Sequence, residues 1–153
     1  MKSFPLLRHR LLTVLSIAIV FGLSGAGYAQ TNTDFENTSW QLVAIHGAAD
    51  SVFIPRNPES YLLRFRLESR LQVEADCNQA GATYAIDGNS LTLTDLVTTR
   101  KLCISPTLFN RYILNLIRAE SMRMEGDNLI VQSDIESDWM EFEPYIFVPG
   151  VSN

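Results

Sequence analysis

The chain has 153 residues, of which 46% are hydrophobic and 19% charged, and its formal net charge is −5. This length suits one domain with a hydrophobic core, and the composition is that of a globular protein rather than a disordered one. The acidic excess argues against nucleic acid and anionic lipid headgroups as partners, because Lys and Arg are what bind both.

Residues 1–29 have the pattern of a secretory signal peptide, with basic Lys2, Arg8 and Arg10 followed by an apolar run over 11–23. Small residues before position 30 predict cleavage after Ala29. The run is shorter than the roughly 20 residues of a membrane-spanning helix. We therefore expect a periplasmic or secreted protein with no stable membrane anchor, an uncleaved N-terminal anchor being the alternative. Removing the leader's three basic residues takes the net charge from −5 to −8.

The first part of the mature chain predicts one strand and a long loop. Residues 30–36 are polar and predict a flexible lead-in. Residues 39–45 alternate with apolar side chains on both faces, as in a strand covered on both sides. Residues 48–60 contain two prolines and predict a loop. Its apolar residues Val52, Phe53 and Ile54 either fold back onto the core or contact a partner.

The middle of the chain predicts two hairpins. Residues 61–67 and 71–77 alternate around a polar turn. A second turn is predicted at 79–81, around Gly81. Residues 83–86 and 90–96 then pair around Asp87-Gly88, which supplies the positive backbone angles of a tight turn. Residues 97–102 are less regular.

One amphipathic helix follows, with Ser105 as its predicted N-cap and Pro106 as its first residue. Its apolar stripe packs on a sheet rather than on a membrane, because its polar face carries only two basic residues. Three shorter strands are predicted to begin at Met122, at Leu129 and at Trp139. A C-terminal tail, 144–153, contains the aromatic residues Tyr145 and Phe147. The stripe comprises Leu108, Phe109, Tyr112, Ile113, Leu116 and Ile117.

No catalytic set emerges from these residues. His46 is the one histidine of the mature chain, and its place beside a glycine at a strand end is typical of a turn residue. The sequence predicts no metal site and no cofactor, since a histidine-based metal site needs more than one such ligand. Asp134, Glu136 and Asp138 resemble the start of a calcium loop only loosely, because Trp139 stands where such a loop has glycine.

Cys77 and Cys103 are the only cysteines. In an exported domain, a structural disulfide is the favoured interpretation. Free thiols and a redox-active pair are the alternatives, and Arg100 and Lys101 lie close to Cys103 in sequence, as near a reactive thiol.

The order and spacing of several motifs resemble the META domain family of HslJ-like heat-shock proteins over residues 37–143. The Thr99-Arg100-Lys101-Leu102-Cys103 run resembles the family's second cysteine motif. Asp76 and Ala82 stand where the family usually has glycine. The positions that carry the resemblance are Trp40, Cys77, Asn78, Gly81, Tyr84, Thr99 and Cys103.

The resemblance implies a single α+β domain, a strongly curved antiparallel sheet of about seven strands with one amphipathic helix against it. It also implies a non-enzymatic envelope protein, linked to stress tolerance, whose partner is an unidentified envelope protein or peptide. One alternative is a peptide-binding module or enzyme inhibitor that uses residues 52–54 or the aromatic tail. Another is a thiol redox sensor.

Overall fold

The computed structural model describes residues 31–104, 106–135 and 138–146. The predicted leader and the end of the tail lie outside these residues. The described chain contains a short helix, α1 (Asn32–Phe35), a longer helix, α2 (Phe109–Ile117), and a 3-10 turn at Pro58–Ser60. Its strands are β1 (Ser39–Gly47), β2 (Ser51–Phe53), β3 (Tyr61–Arg66), β4 (Arg70–Ala75), β5 (Asn78–Asp87), β6 (Ser90–Thr98), β7 (Ala119–Glu125), β8 (Asn128–Ser133) and β9 (Trp139–Pro144).

The sheet is antiparallel and closes on itself. Strands β3 to β9 pair in chain order, and β1 pairs with both β3 and β9. The result is a barrel of eight strands, to which β2 adds as a ninth on the edge that β1 also shares with β3. Leu42 of β1 lies opposite Phe142 of β9 at the closure. A barrel has no exposed outer edges where its strands are fully paired.

The predicted α+β domain with one antiparallel sheet is therefore confirmed, whereas the expected strongly curved sheet of about seven strands is instead a closed barrel with a ninth strand on its edge. Closure depends on the pairing of the first and last long strands, which alternation within each strand does not reveal. The ninth strand, β2, lies inside the segment 48–60 predicted as a loop. Its three residues are held by the end of β1 rather than by their own pattern.

The predicted turn around Gly81 is also wrong, because Gly81 lies in β5 opposite Gln72 of β4. The chain turns earlier, at Asp76 and Cys77, and Asp76 adopts a positive φ of 60°. Aspartate tolerates this left-handed region better than most residues, which explains how it replaces the glycine usual at this position.

Helix α2 packs against the barrel with one apolar face. Tyr112, Ile113 and Leu116 are buried, whereas Ile117 is exposed. The helix begins at Phe109, so the prediction that Pro106 is its first residue is wrong, and Ser105 lies outside the described residues. Leu108 precedes the helix without a side-chain cap. The apolar stripe, rather than a cap, therefore fixes this helix in place.

Tyr112 carries a polar group into the barrel interior. Its ring meets Tyr61 edge-on at 5.5 Å. Its hydroxyl is buried and has no hydrogen-bond partner among the described residues. Burial raises the pKa of the Tyr112 phenol well above its usual value of 10.0, and the charge of Glu74 adds to this effect. The neutral phenol is thus strongly favoured in the folded protein.

The barrel is only loosely closed between β6 and β7. These strands pair at one position, Ser90 opposite Ser121, supported by a bond from Met122 N to the Asn89 carbonyl. A β-bulge in β6, at Asp95 with φ 56°, bends the strand beyond this point. The connection between the two strands contains α2, which contacts β4, β6 and β8.

Candidate functional site

The two cysteines form a disulfide, with an S–S distance of 2.01 Å. Asn78 lies beside it, almost wholly buried. Its Oδ1 accepts hydrogen bonds from Thr99 Oγ1 (2.9 Å) and Lys101 N (2.6 Å). Its Nδ2 donates to the Lys101 carbonyl (3.1 Å) and contacts Cys103 Sγ (3.2 Å). We call Asn78, Thr99, Lys101 and the disulfide the Asn78 clamp. The clamp holds the segment after β6 against the start of β5.

The other sequence-motif residues have separate structural roles. Trp40 is buried, and its indole N–H donates to Thr38 Oγ1. Tyr84 is buried against Phe65 and donates its hydroxyl to the Arg66 carbonyl. Gly81 lies in mid-strand, and a Cβ there would meet no atom closer than 3.8 Å. Nothing in its surroundings explains a requirement for glycine.

The apolar trio divides between two environments. Val52 and Ile54 are exposed, at 50% and 70%. The Phe53 ring lies between them in sequence, packs against the core and carries the Arg111 guanidinium 3.9 Å above its centroid. The trio is thus neither wholly core nor a continuous contact surface.

A larger apolar surface lies on the opposite flank of α2. It is a groove of about 840 Å³ between the end of β6, the segment 100–103 and the outer face of the helix. We call it the α2 groove. Its exposed apolar side chains are Val97, Leu102, Leu114 and Ile117, of which Leu102 is fully exposed. A concave site of this volume, with apolar walls and a few polar groups, is typical of ligand-binding pockets.

Two cations stand at this groove. Arg100 and Lys101 line it and are exposed. Within the described residues neither side chain forms an ion pair, whereas five arginines each lie beside a carboxylate. The groove therefore combines apolar walls with unneutralised positive charge in a protein whose net charge is −5.

A buried polar network anchors the inner side of α2. Arg111 Nη1 is 3.3 Å from Asp138 Oδ2, and the carboxylate is largely buried. Asn115 is buried; it donates to the Arg111 carbonyl and accepts from Ser133 Oγ at 3.0 Å. The network ties the helix to β8 and to the approach to β9. These contacts therefore fix α2, which forms one wall of the groove, on its buried side.

His46 packs against the ring of Trp139. Its interpretation as a turn residue is wrong, since β1 continues through it to Gly47. The imidazole stacks on Trp139 at 3.6 Å, and Nε2 is 3.6 Å from Glu141 Oε2. This nitrogen makes no hydrogen bond in the described part of the chain.

The loosely calcium-like pattern is dispersed. Asp134 pairs with Arg118 and Asp138 with Arg111, while Glu136 lies outside the described residues. Across 31–104, 106–135 and 138–146, no three His, Cys, Asp or Glu side chains are grouped to hold a metal ion. The same residues include no helix with the length and apolar content needed to cross a membrane.

Comparison with known families decides the classification. The META domain matches residues 33–144. The chain belongs to the META domain family. No curated protein matches it.

Two solved structures share the fold of this META domain. One is the NMR structure of a protein from Burkholderia xenovorans, with a TM-score of 0.61 and 17% identity, covering 86% of this chain and all of that one. The other is the crystal structure of a DUF4847 family protein from Bacteroides vulgatus, with a TM-score of 0.54 and 14% identity, covering 73% of this chain and 95% of that one. At such identities the likeness concerns the fold alone.

Sequence reasoning singled out the clamp of this META domain but missed its groove. Cys77 and Asn78 lie far from Thr99 and Cys103 in sequence and meet them in the structure. The groove had one overlooked signal, Leu114, which is apolar yet lies outside the helical stripe. Its other wall comes from the segment 97–102, whose pattern is too irregular to predict a surface.

Proposed function

We propose that this META domain is a non-enzymatic binding protein, exported to a bacterial envelope, where it acts in stress tolerance by binding another envelope component through the α2 groove. The observation that carries the proposal is the groove itself, with four exposed apolar side chains beside two unpaired cations. A ligand that covers these side chains removes apolar surface from water, which favours binding.

The leader pattern and the disulfide support export. Disulfides form and persist in oxidising compartments, so the clamp suits a periplasmic or secreted protein. In the clamp, Asn78 Nδ2 lies within 3.6 Å of Cys77 Sγ and 3.2 Å of Cys103 Sγ. The segment 99–103, which forms one wall of the groove, is thus fixed by both the bond and the amide. We propose that oxidation on export completes the binding surface.

The site chemistry favours binding over turnover. The groove is lined by apolar side chains, two cations and an oxidised cysteine. His46, paired with Trp139 and Glu141, belongs to β1 and not to the groove lining. A turnover that depends on His46 or on a pair of carboxylates would contradict this part of the proposal.

Binding can be tested with 8-anilino-1-naphthalenesulfonate, whose apolar rings and sulfonate match the walls and cations of the groove. We expect saturable fluorescence enhancement with the mature chain from Gln30. Leu114→Glu should weaken binding at least tenfold, because it places a charge in the apolar wall. Val52→Glu is the matched control, since both side chains are 50% exposed. Equal weakening by both variants, or by the control alone, would refute the groove as the site.

Export is tested by expressing the complete sequence in a Gram-negative host and measuring the mass of the protein in each cell fraction, the periplasm first. We expect a chain that begins at Gln30 and weighs two hydrogens less than the dithiol form. A cytoplasmic or membrane-retained product with residues 1–29 intact would contradict the proposal.

The β2 edge is a second candidate surface, supported by the exposure of Val52 and Ile54. There the domain would act as a peptide-binding module or inhibitor. The aromatic tail is the alternative surface for that role, since Tyr145 lies under the Arg64 guanidinium at 5.9 Å, at the opposite end of β1 from β2. Weakened partner binding in Val52→Glu with unchanged binding in Leu114→Glu would favour it.

Thiol redox sensing is a third candidate, favoured by the exposure of Cys77. Reduction by a dithiol would add two electrons and two protons to the bond and free the segment 99–103. A pair that stays oxidised under mild dithiol would remove this candidate.

A further inference from the structure

The proposed function does not specify the ligand, and this inference rests on it. We infer that the α2 groove takes an extended peptide segment of another protein, which adds as a strand to the free edge of β6. Its apolar side chains enter the groove, and an acidic side chain meets Arg100 and Lys101.

The backbone groups of β6 beyond its bulge face two different edges of the strand. Thr99 N donates to the Gln79 carbonyl of β5, so the backbone of Thr99 faces β5. Backbone groups of successive residues point to opposite edges of a strand, so those of Leu96 and Thr98 face away from β5. Leu96, Val97 and Thr98 all line the groove. The N–H and C=O groups of this edge therefore open into it.

This edge has no strand partner among the described residues. The pairing of β6 with β7 is confined to Ser90 and Ser121. The bulge at Asp95 separates that pair from Leu96 and bends the strand. Unpaired strand edges are templates for another extended segment, and proteins that recognise peptides in this way obtain affinity from the main chain and specificity from alternate side chains.

The unpaired backbone groups of β6 also favour a peptide over an acyl chain as the ligand. An acyl chain lying along β6 would cover the backbone groups of Leu96 and Thr98 without offering hydrogen bonds, which is unfavourable. An extended peptide pairs with them and still places every second side chain against Leu114 and Ile117. The groove walls match a peptide better than a purely apolar ligand.

Charge selects the composition of the peptide. Arg100 and Lys101 are exposed and have no carboxylate partner in the described part of the chain. The backbone of Lys101 is held by Asn78, so the two side chains are anchored beside the groove. A Glu or Asp within the bound segment would complement them, whereas a basic segment would be repelled.

The length of the contact follows from the two walls. Helix α2 has nine residues and is about 13 Å long at 1.5 Å per residue. An extended chain rises about 3.3 Å per residue, so four to five residues of a peptide span the helix. A probe of seven residues therefore covers the groove with one residue to spare at each end.

The experiment uses the seven-residue peptide acetyl-TVEVTVE-amide and the mature chain. We expect binding that slows hydrogen exchange of the Leu96 and Thr98 amides at least tenfold by NMR. Two further peptides carry N-methyl groups on alternate amides. In one peptide the methyl groups block one edge of the extended chain, and in the other they block the opposite edge. Only the isomer that blocks the edge facing β6 should lose at least tenfold in affinity, and the other is its matched control. Arg100→Glu with Lys101→Glu should weaken the unmodified peptide at least tenfold.

Several results would overturn the inference. Equal affinity of both methylated isomers, or unchanged exchange at Leu96 and Thr98, would show that no strand is added. Binding of dodecanoate without binding of the peptide would identify an amphiphile site; it would refute the peptide and leave the proposed function standing. Failure of dodecanoate, peptide and naphthalenesulfonate alike would refute the proposed function itself.

Discussion

Replacing Asn78 with alanine is expected to destabilise the domain about as much as removing the disulfide. The Asn78 side chain is 1% exposed and makes three hydrogen bonds to Thr99 and Lys101, besides its contact with Cys103 Sγ. Alanine removes all of them and leaves backbone groups of Lys101 without their partner. The segment that walls the groove would then depend on the disulfide and on the bonds between Thr99 and Gln79.

The expected cost follows from these contacts. A typical intramolecular hydrogen bond contributes a net 0.5–1.5 kcal/mol, so three of them predict a loss of about 2 to 4 kcal/mol in the free energy of unfolding. The disulfide joins residues 26 apart, and removing it costs roughly 3 kcal/mol by the chain-entropy relation. Because both devices hold the same segment, their losses should not be additive.

Urea denaturation of the two single variants and the combined one measures this coupling. Asn78→Ala and Cys77→Ala with Cys103→Ala should show an interaction energy of about 1 kcal/mol or more. Gln79→Ala is the adjacent control and should change stability by no more than about 0.5 kcal/mol, because its side chain is exposed. A loss below about 1 kcal/mol for Asn78→Ala, or strict additivity with the disulfide variant, would refute the clamp.

Three further substitutions test the interior and the trio. Tyr112→Phe should raise the free energy of unfolding by about 1 kcal/mol, because the buried hydroxyl has no hydrogen-bond partner in the described residues. Tyr61→Phe should lower the free energy of unfolding, since the Tyr61 hydroxyl accepts a bond from a backbone N–H. Because folding raises the pKa of Tyr112, this phenol ionises in the unfolded chain before it ionises in the folded one as the pH rises past 10.0. Urea titrations should therefore show a free energy of unfolding that is retained below that pH and falls above it. The fall should be less steep in Tyr112→Phe. Arg111→Ala should cost about 3 kcal/mol by leaving a buried carboxylate unpaired, and a much smaller effect is expected for Arg118→Ala, whose ion pair is exposed; similar losses would contradict this. Phe53→Asp should lower the melting temperature, because the ring packs on the core. An unchanged melting temperature would instead indicate that Val52, Phe53 and Ile54 form a contact surface.

The strands and the helix face could be predicted because their signals are local. The alternation over 61–67 reflects one buried face, and β3 occupies Tyr61–Arg66 accordingly. The Asp87-Gly88 turn is also a two-residue matter, and Gly88 has a φ of 59°. Such features depend on a few neighbouring side chains and angles. They need no knowledge of the rest of the chain.

Closure and the groove depend on contacts that local pattern does not carry. β1 meets β9 about 100 residues later, and only their side-by-side packing, as between Leu42 and Phe142, makes a barrel. The groove lies beyond the bulge at Asp95 of β6, a lone aspartate within a run of strand-forming residues. Ile117 fits the buried stripe by spacing but is exposed, because it lies on the groove side of the helix.

The central claim is that a partner binds in the α2 groove, and site-specific photo-crosslinking in the cell tests it most directly. The photoreactive residue p-benzoylphenylalanine would replace Leu114 in one variant and Val52 in another, two sites of equal exposure. The account predicts a crosslink at position 114 and none at 52, with mass spectrometry assigning the crosslinked partner residues to a segment of alternating apolar and acidic side chains. Crosslinking at position 52 alone, or none at 114, would contradict it.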